Sequence, residues 1–262
     1  MATQEVAAVE YGNLLACFDL EPQVAGWFFD QPIEALRVLH ERICAGLVDP
    51  GVVGRPRRTA QAVHDGAQGW VLYNAADPDA VPGLLEELAG WLGRGSAAMP
   101  TLVVAGIVHE RLLQWQPFEA GNGRLARAAS RVVLRARGLD PHGVGVTERA
   151  LAEDPMGYYG EVAATMRRRD DLVPWLERYA EAAVAALEAA ADAVAPRPRS
   201  APPERTGWVI EELASGESVT LTEYAARVGV SRERACQDLR ALRLAGVLRL
   251  QPRTGGLRYR RA

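Results

Sequence analysis

Gln116-Pro117-Phe118-Glu119-Ala120-Gly121-Asn122-Gly123-Arg124-Leu125-Ala126-Arg127 follows one helix-patterned run, Thr101 to Trp115, and opens another. Gly121, Asn122 and Gly123 are therefore expected on a tight turn at a helix N-terminus. The first amides of a helix have no acceptor inside it, and the helix dipole places positive charge behind them. Such a turn is a ready anion site. Arg124 and Arg127, three residues apart, project from neighbouring positions of the emerging helix and can grip a phosphate in forked, charge-assisted bonds. The predicted chemistry is binding of a phosphorylated ligand by Gly121, Asn122, Gly123, Arg124 and Arg127.

The segment resembles the signature of the Fic (Fido) family, His-Pro-Phe-x-Asp/Glu-Gly-Asn-Gly-Arg-x-x-Arg. Pro117, Phe118, Gly121, Asn122, Gly123, Arg124 and Arg127 match it; Gln116 stands where the family has its histidine and Ala120 where it has its acid. The resemblance implies ATP or another nucleotide as ligand. It also implies transfer of AMP, UMP, phosphocholine or phosphate to a hydroxyl, the histidine removing the proton and the acid holding Mg²⁺. An amide has no pKa near working pH, so Gln116, the candidate catalytic position, orients a hydroxyl but cannot carry its proton away. Mg²⁺ wants hard oxygen ligands and Ala120 supplies none; Glu119, one residue away, points about 100° elsewhere if helical. Ordinary AMP transfer and a protein-held Mg²⁺ are therefore not expected.

Weaker similarity to the family runs over residues 30–195. Leu39 to Gly46 resembles its leading helix, Arg55 to Tyr73 a β-hairpin flap that holds a target peptide, and Pro82 to Trp91 the helix after the flap. Tyr158, Tyr159 and Trp175 resemble the closing helices. Many Fic enzymes are restrained by a Ser/Thr-x-x-x-Glu-Gly/Asn helix whose glutamate pairs with the second signature arginine; no such motif is found here.

The chain has 262 residues, 48% of them apolar, which is ample for one large or two ordinary domains. No apolar run reaches the roughly 18 residues of a membrane span, and the N-terminus lacks the basic-then-apolar order of a signal peptide. A cytoplasmic protein that does not enter a membrane is expected. Cys17, Cys44 and Cys236 lack metal spacing and read as buried thiols in a reducing compartment. No metal ligand set is assigned.

Pro196-Arg197-Pro198-Arg199-Ser200-Ala201-Pro202-Pro203 cannot continue the Ala-rich helix before it, and reads as a semi-stiff linker between a Fic-like domain (1–195) and a second domain (204–262). Beyond it the pattern predicts a helix over Trp208 to Ala214 and an extended piece over Val219 to Leu221. A second helix follows over Thr222 to Val228, ended by Gly229, then a third capped by Ser231 and running to Ala245. Extended runs around Arg249 and Arg258 flank Arg253-Thr254-Gly255-Gly256, a hairpin turn signal. The order looks like a winged helix-turn-helix module. Ala235, Leu239 and Leu242 share the buried face of the third helix, leaving Arg232, Arg234, Gln237 and Arg240 to meet double-stranded DNA. Residues 220–262 hold ten arginines against three acids, on a chain of net charge −3. Paired half-sites would make it a homodimer; winged helices also serve as protein-docking or dimer modules, and that alternative stays open.

The fold class expected is mainly α: a Fic-type bundle with a small hairpin flap, then a winged helix. His109, at helical spacing among Val103, Ile107, Val108 and Leu112, reads as a core histidine, and His40, His64 and His142 are assigned no role. Arg55, Arg57 and Arg58 read as a solvated loop, with phosphate contact as the alternative. Three functions stay open: a sensor of a nucleotide or other phosphorylated small molecule coupled to DNA; a transferase with altered chemistry, its proton handled by His109, Glu119 or the substrate; and an adaptor binding a target protein along the flap edge.

Overall fold

Val104, Val108 and Leu112 recur at helical spacing in one segment and Leu125, Ala129 and Val132 in the next, and all six are fully buried. These stripes meet in a side-by-side helix pair at the centre of the larger of two compact units. The computed structural model describes residues 3–65, 69–194, 204–211, 213–214, 217–251 and 258–261. One unit lies within 1–144 and 151–180, the other within 145–150 and 181–262.

In chain order the first unit holds α1 (Thr3–Ala25), α2 (Pro32–Cys44), strands β1 (Ala62–His64) and β2 (Val71–Asn74) and α3 (Val81–Gly90). A π-type turn at Trp91–Gly95 precedes the central pair, α4 (Thr101–Trp115) and α5 (Asn122–Ala136). After α6 (Thr147–Leu151), which apart from Leu151 belongs to the second unit, come α7 (Pro155–Arg167) and α8 (Val173–Val194), whose later residues belong to the second unit as well. α5 is buried nearly all round, against α4 on one side and α1 and α2 on others. Its alanines at 126, 128 and 129 let those neighbours approach. A buried ion pair ties α1 to α5: Arg131 Nη2 donates to Glu21 Oε1 at 2.5 Å, the Arg131 side chain being 5% and Glu21 0% exposed. Trp175 of α8 donates from Nε1 to the Gly106 carbonyl at 2.8 Å, and a Cβ at Gly106 would come within 2.8 Å of Leu176.

The hairpin pairs Ala62 with Asn74, Val63 with Tyr73 and His64 with Val71, within the segment read as a flap. Part of its turn, residues 66–68, lies outside the described residues, as do 196–203, read as a linker, and 253–256, read as a turn.

The second unit contains α9 (Gly207–Glu211), β3 (Ser218–Thr220), α10 (Leu221–Val228), α11 (Arg232–Leu244), β4 (Leu248–Gln251) and β5 (Arg258–Arg261). Its antiparallel sheet has the order β3-β5-β4. The helix ends follow local chemistry. Thr220 and Glu223 form a reciprocal capping box, Gly229 ends α10 at φ 70°, and the Ser231 side chain caps α11 through the Arg234 amide. Val209, Val219, Tyr224, Ala235, Leu239, Leu242, Leu248 and Tyr259 make the core. Asp238 is buried beside it, holding Arg205 in a two-bond fork at 2.7 and 2.6 Å and accepting from the Tyr224 hydroxyl at 3.2 Å. No described helix is long and apolar enough to cross a membrane.

Candidate functional site

The loop between α4 and α5 is held by its own residues. Asn122 Oδ1 accepts from the Phe118 amide at 2.9 Å, and its Nδ2 donates to the Phe118 carbonyl at 2.7 Å. Both ends of that side chain are spent closing the loop. Gly121 has φ 74°, and a Cβ there would lie 2.5 Å from Cys44 Sγ, so both backbone angle and space demand glycine. Having no side chain, Gly121 cannot cap α5, and the first intrahelical bond runs from Leu125 to Gly121. The amides of Asn122, Gly123 and Arg124 have no acceptor among the described residues, as the first amides of a helix do.

Two residues that sequence reasoning passed over hold this loop in place. His40 of α2 stacks on Phe118 at 4.1 Å between ring centroids. Its Nδ1 accepts from the Gly54 amide at 2.9 Å, so Nε2 carries the proton and donates to the Ala120 carbonyl at 3.0 Å. Burial lowers its pKa, in keeping with that neutral form. Arg57 is 2% exposed. It is neither a solvated loop residue nor a phosphate contact: its guanidinium donates to the carbonyls of Gln116 (2.6 Å), Thr59 (2.5 Å), Trp115 (3.1 Å) and Ala76. Its amide donates to Pro117 at 2.9 Å. One side chain thus gathers the end of α4, the loop and the segment after the hairpin.

Gln116 ends α4 in the left-handed region, φ 46° and ψ 61°. Its amide Nε2 donates to the Leu113 carbonyl at 2.7 Å, an acceptor shared with the Tyr73 hydroxyl at 3.0 Å. At the position where a base would stand, the side chain caps its own helix. The two alternative proton carriers are also engaged. Glu119 accepts from the Arg58 amide at 2.9 Å and the Thr59 hydroxyl at 2.6 Å, bonds that lower its pKa, the Thr59 bond foremost. His109 is 1% exposed, as a core histidine should be; its Nε2 meets the Tyr158 hydroxyl at 2.6 Å, and burial above all lowers its pKa well below the usual histidine value. With Ala120 lacking oxygen ligands and Glu119 occupied, the residues do not fit a protein-held Mg²⁺. Among the described residues no cluster of three His, Cys, Asp or Glu could hold a metal ion.

The two signature arginines have different surroundings. Arg124 Nη1 lies 2.9 Å from Glu10 Oε1 of α1. Glu10 does not match the restraining motif: Val6 stands where that motif has Ser or Thr and Tyr11 where it has Gly or Asn, and Glu10 meets the first signature arginine, not the second. Arg127 has no carboxylate within ion-pair distance among the described residues; it stands beside the Tyr158 hydroxyl. Arg127 Nη1 and the Tyr159 hydroxyl lie 3.4 and 3.6 Å from where a Gly123 Cβ would be, so both converge on the start of α5.

In the second unit Arg232, Arg234 and Gln237 are exposed along the first half of α11, Arg234 meeting Asp238 at 3.7 Å and Gln237 Oε1 at 3.2 Å within the helix. Arg240 is exposed too, its Nε 2.8 Å from Asp192 Oδ1 of α8 in the same unit. Cys236 is exposed, unlike the buried Cys17 and Cys44. Arg249 and Arg260 lie directly opposite each other on β4 and β5 and are both exposed.

A match to the Fic/DOC family spans residues 30–134, from the approach to α2 through most of α5. A Fic family protein from Desulfovibrio desulfuricans G20 is similar in structure, with TM-score 0.58 and 22% identity over 100% of this chain and 81% of that one. A Fic domain containing signaling protein from Bacteroides thetaiotaomicron VPI-5482 gives TM-score 0.46 and 21% identity over 70% of this chain and 72% of that one. Fic-1 from C. elegans gives 0.47 and 21% over 66% and 50%. No protein of curated function matches the sequence. The Desulfovibrio likeness establishes the fold: mainly helical and Fic-like, with a small hairpin and a C-terminal region containing a three-stranded sheet.

Proposed function

We propose that the Fic/DOC-matching domain binds the phosphate portion of a nucleotide or another phosphorylated small molecule without ordinary AMP transfer, and that the second unit is a winged helix-turn-helix module binding double-stranded DNA. Ligand occupancy would then regulate DNA binding. One observation carries the first half. Arg127, a guanidinium with no carboxylate partner among the described residues, stands beside three helix amides with no acceptor. A phosphate would satisfy all of them at once. The transfer reading is weaker, because the Gln116 amide cannot accept a proton and its N–H is engaged with Leu113. The DNA half is supported by the exposed Arg232, Arg234 and Gln237 along α11 and by the exposed Arg249 on β4.

Isothermal titration with ATP and with pyrophosphate, each with and without Mg²⁺, tests the first half. Arg127→Ala should weaken binding about 10- to 100-fold, the worth of hydrogen bonds to a charged group. A wild type that binds no phosphate compound would sink the reading. Glu10→Gln should strengthen binding about 2- to 5-fold, since a half-exposed ion pair then no longer competes for Arg124. Labelled AMP transfer is expected only from a Gln116→His/Ala120→Asp double variant; transfer by the wild type would replace the sensor with an enzyme.

A further inference from the structure

The two halves of α11 are treated differently by the rest of the second unit. Arg232, Arg234 and Gln237 face solvent. Arg240 and Arg243, one turn further on, are both held by the last turns of α8. Arg240 Nε lies 2.8 Å from Asp192 Oδ1, and its Nη2 donates to the Ala191 carbonyl at 2.9 Å. Arg243 Nη2 donates to the Glu188 carbonyl at 3.1 Å and pairs with the other oxygen of Asp192. A single carboxylate, only 12% exposed, is shared by two guanidiniums. Ala191 is among the last four residues of α8, whose carbonyls lack a helical donor and carry the negative end of the helix dipole. Arg240 therefore also acts as a cap.

We infer that Asp192 is a built-in competitor of phosphate for Arg240 and Arg243. The bonds that hold these side chains, charged donor to carboxylate and to carbonyl, are of the kind a phosphodiester backbone would offer them. While the clasp is closed, α11 presents its first half alone to a polyanion, and the second half is withheld. Asn has nearly the volume of Asp, so Asp192→Asn removes the charge at this largely buried position without emptying a packed site. This inference rests on the DNA-binding reading and states which arginines that reading includes.

The test uses the full chain and a short labelled random-sequence DNA duplex, with affinity followed by anisotropy across a salt series. Asp192→Asn should bind about 5- to 30-fold tighter and steepen the log–log salt dependence by roughly 1 to 2, since each phosphate newly contacted adds about 0.9. Adding Arg240→Ala and Arg243→Ala to Asp192→Asn should abolish that gain. The same two changes in an otherwise wild-type chain should leave binding nearly as it was. The outcomes separate. If wild type binds, loses binding with Arg232→Ala/Arg234→Ala and ignores Asp192→Asn, the clasp is wrong and the DNA reading stands. A gain that survives loss of Arg240 and Arg243, or a large loss when they are removed from the wild type, also overturns the clasp. If neither wild type nor Asp192→Asn binds duplex, both ideas fall together.

Discussion

Arg57→Ala is expected to lower the unfolding free energy by about 3–5 kcal/mol, the usual cost of leaving buried partners of a charged group unmatched. Four carbonyls, those of Gln116, Thr59, Trp115 and Ala76, share this one guanidinium. Alanine leaves them without that donor, and the loop between α4 and α5 loses its attachment to the segment around the hairpin. Burial pulls the Arg57 pKa down, while the charges of Glu119 and Asp77 oppose that pull. Arg57→Lys should recover less than half of the loss, because an ammonium has no planar fork to span several carbonyls. Urea denaturation of the three chains measures this directly. A cost near that of an exposed arginine would show that the carbonyls find other donors.

The contribution of one buried carboxyl to stability should also fall as pH rises from about 4.5 to about 7, by up to roughly 3 kcal/mol. The source is Glu110 of α4, whose side chain is 0% exposed and whose oxygens accept no hydrogen bond among the described residues. Arg111 Nη1, at 3.5 Å, is divided between Glu110, Gln114 and Asp170. Burial raises the Glu110 pKa to about 7 against that partial compensation. Between the unfolded value of about 4.5 and the folded value of about 7, the folded chain binds more protons than the unfolded one, so each rise in pH favours unfolding. Above pH 7 the full penalty is present; below 4.5 it is absent. Glu110→Gln removes the ionisation and should be about 1–3 kcal/mol more stable than wild type at pH 8, with little difference at pH 5. Parallel pH profiles for the two chains would refute the assignment.

Helix starts and stops in this protein are written in short-range chemistry. Thr220 with Glu223, Ser231, Gly229 and the Gly121-Asn122-Gly123 turn each act over three or four residues, and that is the range a sequence pattern can read. The alternation of apolar positions likewise marked the buried faces of α4 and α11. Side-chain partners are another matter. The Asn122 side chain closes its own loop, and Arg240, though exposed, pairs with Asp192; neither partner can be read from local pattern. His40 meets Ala120 across 80 residues of chain, and Arg57 meets Gln116 across 59. A histidine or arginine has the same local pattern whether it faces water, a phosphate or a buried carbonyl. Which of these it meets depends on segments that only folding brings within hydrogen-bond distance. Local propensity and periodicity were thus enough for the helical architecture and for the turn that opens α5. Tertiary packing alone decided that Arg124 would be paired with Glu10 and that Arg127 would have no carboxylate partner among the described residues.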